Sequence, residues 1–469
     1  MGKIFFVGIG GVSMSAIALL LKSKGEDVAG SDQKESDYTK KLRDAGVTVY
    51  IGHGAAHITE DISLLVYNLA VPEDNPEIVR ARELNIPIKA RPTVLGEIMR
   101  EYNTPICVAG THGKTTATSM LTEIFLNAGK NPTALIGGTL PSIGGPLKIG
   151  GNEFFIAESC EYRDAFLSFF PKIGVILNID HDHHDYFASF DQVISSFASF
   201  AEKIPEDGAL IVFGGTDSRF FDAIADFPFK TLTYGIDESG ELNYTVSARN
   251  VSLTDAGNAV FDAYVNGAFL THATLSVTGE HNVLNALSAI AVCCSIGGFS
   301  PADISRGLLA FLGTKRRFEL KGTLFGAEGG IPVYDDYAHH PAEVAATLNA
   351  AKALNRRVWC VFQPHTKKRT KELLLEFAES LSLADSVLLL PIYNPPGREE
   401  TASSVDSLDL AAEIRKPGKS VYLFDDFDEA TLFLSQNLFS KNLFNTNLLI
   451  TMGAGDVTLL SETLILPQK

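Results

Sequence analysis

Val108-Ala109-Gly110-Thr111-His112-Gly113-Lys114-Thr115-Thr116 is the stretch whose reading decides this chain. The apolar run 105–109 predicts a strand, and Lys114-Thr115 opens a segment through Ser119, Met120, Leu121 and Ile124 with helical spacing. A strand, a glycine-bearing turn and a helix in that order aim backbone N–H groups into the turn. The helix N-terminus adds positive potential, and the two together cradle nucleotide phosphates. Lys114, expected as an exposed side chain, would then reach the terminal phosphates, and the Thr115 hydroxyl would ligate Mg²⁺. Gly110, Thr111, Gly113 and Thr116 complete the expected phosphate loop. Val108 stands where the usual pattern has its first glycine, so a plain glycine turn with a helix cap is the competing structural reading.

The composition narrows the class. At 469 residues the chain is too long for one core and suggests two to four domains. Hydrophobic residues make up 45% and charged residues 20%, as in soluble globular proteins. A net charge of −17 argues against nucleic acid or an anionic membrane as the main partner. Cys107, Cys160, Cys293, Cys294 and Cys360 form no Cys-x-x-Cys pair and mostly sit in apolar runs, as buried thiols of a reducing compartment would. The run 5–21 imitates a signal peptide, yet its glycines, Ser13 and Ser15 read better as strand, turn and helix. A cytoplasmic protein without a membrane span is expected.

Working outward, strands are expected at 3–7, 27–29 and 63–67, with helices at 12–24 and 76–84. This alternation implies a parallel sheet with helices on both faces. Past the phosphate loop come strands at 154–157, 173–177 and 209–213, antiparallel strands within 242–273, and a helix at 282–296. A third region carries strands at 333–334, 358–362, 386–390 and 448–451. The expected fold is α/β in three domains, 1–103, 104–316 and 317–469.

Several polar groups sit at strand ends, where parallel sheets place ligands. Gly8-Ile9-Gly10-Gly11 follows the first strand and Asp32 the second, a dinucleotide-like turn with an acid for a ribose, although Ser13 stands at the third glycine position. Glu158 directly follows the 154–157 strand, and the run Asn178-Ile179-Asp180-His181-Asp182-His183-His184-Asp185 follows 173–177. Glu158 and one of these histidines could converge with Thr115 on a metal. Histidine is unusual for Mg²⁺, so a transition-metal site and a solvated loop both stay open. Gly279-Glu280-His281-Asn282 begins a helix, where an amide can read a purine edge or simply cap. Arg316-Arg317-Phe318, Asp335-Asp336-Tyr337-Ala338-His339-His340-Pro341 and Gln363-Pro364-His365-Thr366-Lys367-Lys368-Arg369 cluster in the last region as a candidate site for anions.

In this order the motifs, down to Thr451-Met452-Gly453-Ala454-Gly455-Asp456, resemble the Mur ligases over nearly the whole chain. The resemblance implies an N-terminal Rossmann-like UDP-binding domain and a C-terminal Rossmann-like domain. Between them it implies a P-loop ATPase domain with a parallel sheet plus small antiparallel strands. It further implies ATP and Mg²⁺ as cofactors, and UDP-N-acetylmuramate and L-alanine as substrates. The reaction would be amide formation through an acyl phosphate, in peptidoglycan precursor synthesis and so in cell shape and division. The protein would be a monomer or homodimer.

Carried over residue by residue, Gly10, Gly11 and Asp32 would contact the UDP part and His112 the substrate. Lys114 would hold the ATP phosphates, with Thr115, Glu158 and His183 at the metals. Asn282 would meet adenine, Arg317 a phosphate and Asp336 the ribose region. His339, His365 and Arg369 would serve the reacting groups. The departures are Ser13, Asn68-Leu69, Ala165 and the loop Asn394-Pro395-Pro396-Gly397, the last of which bears on the acceptor. Two neighbouring functions stay open: a recycling ligase that adds a preformed tripeptide, and a non-catalytic UDP-sugar-binding protein. An oxidoreductase built on the Gly8 turn leaves the phosphate loop unexplained.

Overall fold

The computed structural model describes residues 2–183, 186–254, 257–324, 330–394, 405–415, 419–438 and 446–465. Three sheets organise them, and the chain divides into two compact units. One unit comprises Met1–Asn250, Phe261–Ala273 and Leu284–Phe311, and the other Val251–Val260, Thr274–Val283 and Leu312–Lys469.

The first unit opens with a five-stranded parallel sheet in the order Thr48–Ile51, Val28–Asp32, Lys3–Val7, Ile62–Tyr67, Ile88–Ala90. The chain reverses its direction of travel across the sheet at Lys3–Val7, so the turn after that strand lies at the switch point where open α/β sheets bind ligands. Gly11 caps the helix Val12–Ser23, whose Ile17, Leu20 and Leu21 pack inward. The second strand is longer than expected because Gly30, Ser31 and Asp32, poor strand formers, continue it. Gly30 is required there, since a Cβ would clash with the carbonyl of Phe6.

The phosphate-loop strand Thr104–Ala109 sits inside a ten-stranded sheet, between Phe154–Glu158 and Ile173–Ile176 and parallel to both. Thr133–Leu140 and Gly145–Lys148 extend one side as an antiparallel pair. Ala209–Phe213, Lys230–Ile236 and Val246–Leu253 extend the other. Val246–Leu253 runs parallel to Lys230–Ile236, which corrects the expectation of antiparallel strands alone from 242 onward. Alternating hydrophobicity fixes which face is buried but not strand direction. The helix Lys114–Asn127 is buried along most of its length, and the Ser119 and Thr122 hydroxyls are satisfied by the carbonyls of Thr115 and Thr118.

The second unit holds a six-stranded sheet: Glu319–Leu324, Ile331–Asp336, Asn447–Met452, Arg357–Phe362, Ser386–Leu389, Ser420–Leu423. Its first pair is antiparallel and the rest are parallel. Its two faces are covered by separate apolar clusters, around Val344, Phe377 and Leu410 on one and Ala430, Leu434 and Leu460 on the other. All five cysteines are free. Cys107, Cys293 and Cys360 are buried as expected, whereas Cys160 and Cys294 are only partly so. No helix among the described residues is long and apolar enough to cross a membrane.

Candidate active site

The phosphate loop is built by two neighbouring strand ends. Gly113, at φ 83°, starts the helix, and Asn285 stands so close that a Cβ on Gly113 would lie 2.7 Å from its Oδ1. Asn178, just beyond the strand Ile173–Ile176, clamps the loop. Its Oδ1 accepts from the His112 N–H at 2.8 Å and its Nδ2 donates to the His112 carbonyl at 3.1 Å. The Thr111 hydroxyl accepts from the Asp180 N–H at 2.9 Å, and His112 Nε2 lies 3.6 Å from Asp180 Oδ2. Thr116, on the first turn, is half-buried.

Lys114 is not the exposed side chain the sequence suggested. Its ammonium donates to the carbonyls of Gly110 (2.5 Å) and Thr111 (3.0 Å) and pairs with Glu161 Oε2 at 3.0 Å. Burial by itself lowers the pKa of such an ammonium. The fields of Glu161 and Glu158, with the hydrogen bond to Glu161, outweigh it and hold Lys114 above its ordinary value, so it stays charged. Burial, with Glu161 beside it, pushes the Cys160 thiol up to about 11, so Cys160 is neutral at physiological pH.

Glu158 ends its strand with Oε2 accepting from the Thr115 hydroxyl at 2.8 Å and from the Gly137 N–H at 2.9 Å. A Cβ on Gly137 would collide with that carboxylate. Thr115 and Glu158 therefore present oxygen donors at one point. His183, in a left-handed conformation at φ 56°, lies with Glu161 Oε1 at 3.7 Å and Asp182 Oδ2 at 3.9 Å. Its ring packs on Tyr162 at 4.6 Å. Among the described residues no three His, Cys, Asp or Glu side chains converge as a metal centre. Two oxygen ligands suit Mg²⁺, which takes one or two carboxylates and completes its shell with phosphates and water. His184 and Asp185, from the same sequence run, lie outside the described residues.

In the N-terminal sheet, the Gly10 N–H donates to Asp32 Oδ2 at 2.8 Å, so Asp32 braces the Gly8–Gly11 turn. The Asn68 side chain faces this turn, 3.8 Å from where a Gly11 Cβ would lie.

In the second unit, Asp336 is buried and accepts from the N–H groups of Phe318 and Ala338, both at 2.7 Å. Burial pushes its carboxyl up to about 6, although Arg317 opposes the rise. Arg317 lies 3.9 Å from Glu343 and over the Tyr337 ring, and its neighbour Arg316 lies over the same ring while locked to Asp335 and the Gly453 carbonyl. His339 hydrogen-bonds the Tyr337 carbonyl, and burial lowers its pKa. Its ring meets His365 edge-on at 5.6 Å, and His365 stacks on Tyr393 at 5.8 Å. Arg369 begins from the Thr366 cap, on the helix Lys367–Glu372, and its charge is felt by His339. Pro395, Pro396 and Gly397 lie outside the described residues. The Asn282 amide donates to the Thr278 carbonyl at 2.7 Å.

The sequence reading gave no role of their own to Glu161, Asn178 and Asn285. Glu161 had a signal, since it lies three residues after Glu158 at the same strand end. Asn178 had one too, as the head of the polar run after the 173–177 strand, whereas Asn285 had none, because its value comes from facing a loop distant in sequence.

Comparison with known proteins accounts for this arrangement. Three family models match in succession: the Mur ligase family catalytic domain at residues 3–103, the Mur ligase middle domain at 108–293 and the Mur ligase glutamate ligase domain at 316–455. UDP-N-acetylmuramate–L-alanine ligase of Lachnoclostridium phytofermentans is 45% identical, with 98% of this chain and 97% of that protein aligned. The ligase of the same name from Clostridium botulinum is also 45% identical, over 98% and 96% of the two chains. Among solved structures, UDP-N-acetylmuramate-alanine ligase of Thermotoga maritima matches with a TM-score of 0.81 at 30% identity, covering 99% of this chain and 98% of that one. A murein peptide ligase of Psychrobacter arcticus matches with a TM-score of 0.72 at 25% identity, covering 99% and 98%. With its phosphate loop, strand-end carboxylates and three sheets matched from end to end, this chain belongs to the Mur ligase family.

Proposed function

We propose that the protein is an ATP-dependent carboxylate–amine ligase that joins L-alanine to the lactyl carboxylate of UDP-N-acetylmuramate, for peptidoglycan precursor synthesis. The observation that carries this reading is the full-length likeness to ligases of that name, at 45% identity. In the reaction the carboxylate attacks the γ-phosphorus of ATP, releasing ADP and giving an acyl phosphate. The amine of L-alanine attacks the carbonyl, and the tetrahedral intermediate then expels phosphate while the nitrogen loses a proton.

The protein supplies no covalent nucleophile in this scheme. It holds two anions together and neutralises them. Lys114 exchanges Glu161 for the ATP phosphates, which also rest on the backbone of Gly110, Thr111, Gly113 and Thr116. Thr115 and Glu158 are the residues that would hold Mg²⁺, whose charge would offset that of the phosphates, and we assign His183 to the same metal region. Gly10, Gly11 and Asp32 bind the UDP part, with His112 near the substrate. Asn282 takes adenine, Asp336 the ribose region and Arg317 a phosphate. His339, kept neutral by burial, is suited to receive the amine proton, and His365 and Arg369 hold the amino acid and the acyl group. The three domains span 1–103, 104–316 and 317–469, and the free cysteines fit a cytoplasmic setting.

A phosphate-release assay with UDP-N-acetylmuramate and ATP tests the proposal, with L-alanine, glycine, L-serine and the tripeptide competing as acceptors. L-alanine is expected to react fastest. Glycine should follow more slowly, because one methyl is worth only about 1–3 kcal/mol. Preference for the tripeptide would overturn the assignment in favour of a recycling ligase. Absence of substrate-dependent ATP turnover would overturn the ligase itself.

A further inference from the structure

Thr366 is the one β-branched side chain at positive φ among the described residues. Its φ of 64° and ψ of 136° suit glycine and strain a branched side chain. Such a conformation persists only where its surroundings impose it. Here the surroundings are Tyr393 and Asn394. The Thr366 N–H donates to the Tyr393 carbonyl at 2.9 Å, and the Tyr393 N–H donates to the Pro364 carbonyl at 2.8 Å. Asn394 Oδ1 accepts from the Lys367 N–H at 3.3 Å. The Tyr393 ring stacks on His365 and is seated against Gly455, where a Cβ would lie 2.7 Å from the Tyr393 Cγ. On its other side Thr366 opens the helix Lys367–Glu372, its hydroxyl accepting from the Arg369 N–H and its carbonyl from the Thr370 hydroxyl at 2.8 Å.

His365 and Arg369 flank this turn in sequence, and both reach His339. The His365 ring meets His339 edge-on, and the pKa of His339 is lowered first by burial and also by the charge of Arg369. An ordinary negative φ at Thr366 would redirect the chain between the two side chains and part them. We propose that Tyr393 and Asn394 are positioning residues for the acceptor amino acid, forming a latch that holds Thr366 in its strained turn and so keeps His365 and Arg369 together at His339. This rests on the function proposed above. A glycine at position 366 would take the turn unaided, whereas threonine makes the turn depend on the latch. Asn394 is the one described residue of the altered loop Asn394–Gly397, so that departure acquires a role in placing the acceptor.

The test uses the full-length protein and measures KM for L-alanine, ATP and UDP-N-acetylmuramate separately. A misplacement of about 1 Å can cost about 10²-fold. Tyr393→Ala should therefore raise the KM for L-alanine about 10-fold or more, and Asn394→Ala should raise it by a smaller factor. The KM for ATP and for UDP-N-acetylmuramate should stay within about 2-fold, because the P-loop and the N-terminal turn are untouched. Tyr393→Phe keeps the ring and should recover the loss. Adding Thr366→Gly to Tyr393→Ala decides the matter, since glycine holds positive φ without the latch and should restore the KM for L-alanine about 3-fold or more. A double variant no better than Tyr393→Ala would refute the latch and leave the ring only its own contact with His365. An unchanged KM for L-alanine in folded Tyr393→Ala, or an equal rise for all three substrates, would refute it too. Should Tyr393→Ala not fold, Asn394→Ala with and without Thr366→Gly makes the same comparison. Thr366→Gly should also melt above Thr366→Ala by about 2 °C or more, and the reverse order would show an unstrained turn and overturn the proposal. Wild-type protein without L-alanine-dependent turnover would overturn the proposed function itself, an outcome distinct from the others.

Discussion

Replacing Glu161 with glutamine isolates the charge that holds Lys114 in the ligand-free protein. The two side chains are 2% and 13% exposed, and their charged atoms are 3.0 Å apart. Removing one partner of a buried pair typically costs about 3–5 kcal/mol, because the other charge is left uncompensated. The loss should be smaller here. Lys114 keeps the carbonyls of Gly110 and Thr111 as acceptors, and glutamine keeps one oxygen near the ammonium. About 2 kcal/mol remains, the worth of a hydrogen bond to a charged group. For a unit of this size that is a fall of about 3 °C in melting temperature. ATP brings its own negative charge to Lys114, and in the wild type it must displace Glu161 to do so. Saturating ATP should therefore raise the melting temperature of Glu161→Gln more than that of the wild type, narrowing the gap. Scanning calorimetry of both proteins, with and without ATP, measures the two quantities. Equal melting temperatures without ATP, or equal ATP shifts, would refute the reading of Glu161 as the placeholder for phosphate.

Lys114→Ala should yield a folded protein whose kcat falls by about 10²-fold or more, measured by phosphate release, since a preorganised charge at the transferring phosphoryl group is lost. Near-normal turnover would remove the phosphate-loop assignment. Glu158→Gln should raise the Mg²⁺ concentration for half-maximal velocity about 10-fold, whereas an unchanged Mg²⁺ titration would show that the carboxylate only braces Thr115 and Gly137. Asp336 predicts a pH effect. Its folded pKa is about 6 against about 3.9 unfolded, so the folded state binds the extra proton between these values. Stability from this group is full below about pH 4 and declines by roughly 3 kcal/mol as pH rises through 6. Asp336→Asn should flatten that slope between pH 4 and 7 in thermal melts, and parallel curves for variant and wild type would contradict it.

The local segments that carry chemistry were legible because each combines a strand, a turn residue and a helix start in a few consecutive positions. The 105–109 strand, the Lys114 helix, the Gly8–Gly11 turn and the Glu158 strand end were all readable in this way. Periodicity could not give the direction of Val246–Leu253. It also undercounted Val28–Asp32, where a close backbone approach, not side-chain preference, selects glycine.

What the sequence determined by itself was the set of reactive groups and their attachment to strand ends, since backbone turns and helix N-termini depend on near neighbours alone. Tertiary structure decided which of those groups meet. It placed Glu161 on Lys114, put Asn178 and Asn285 against the loop, drew Arg91 to Ser13, and separated Arg316, tied to Asp335, from Arg317 beside Glu343. Such pairings join residues many positions apart. They are set by strand order in the sheets and by the burial that strengthens each charge, and neither is written in any short window of the chain.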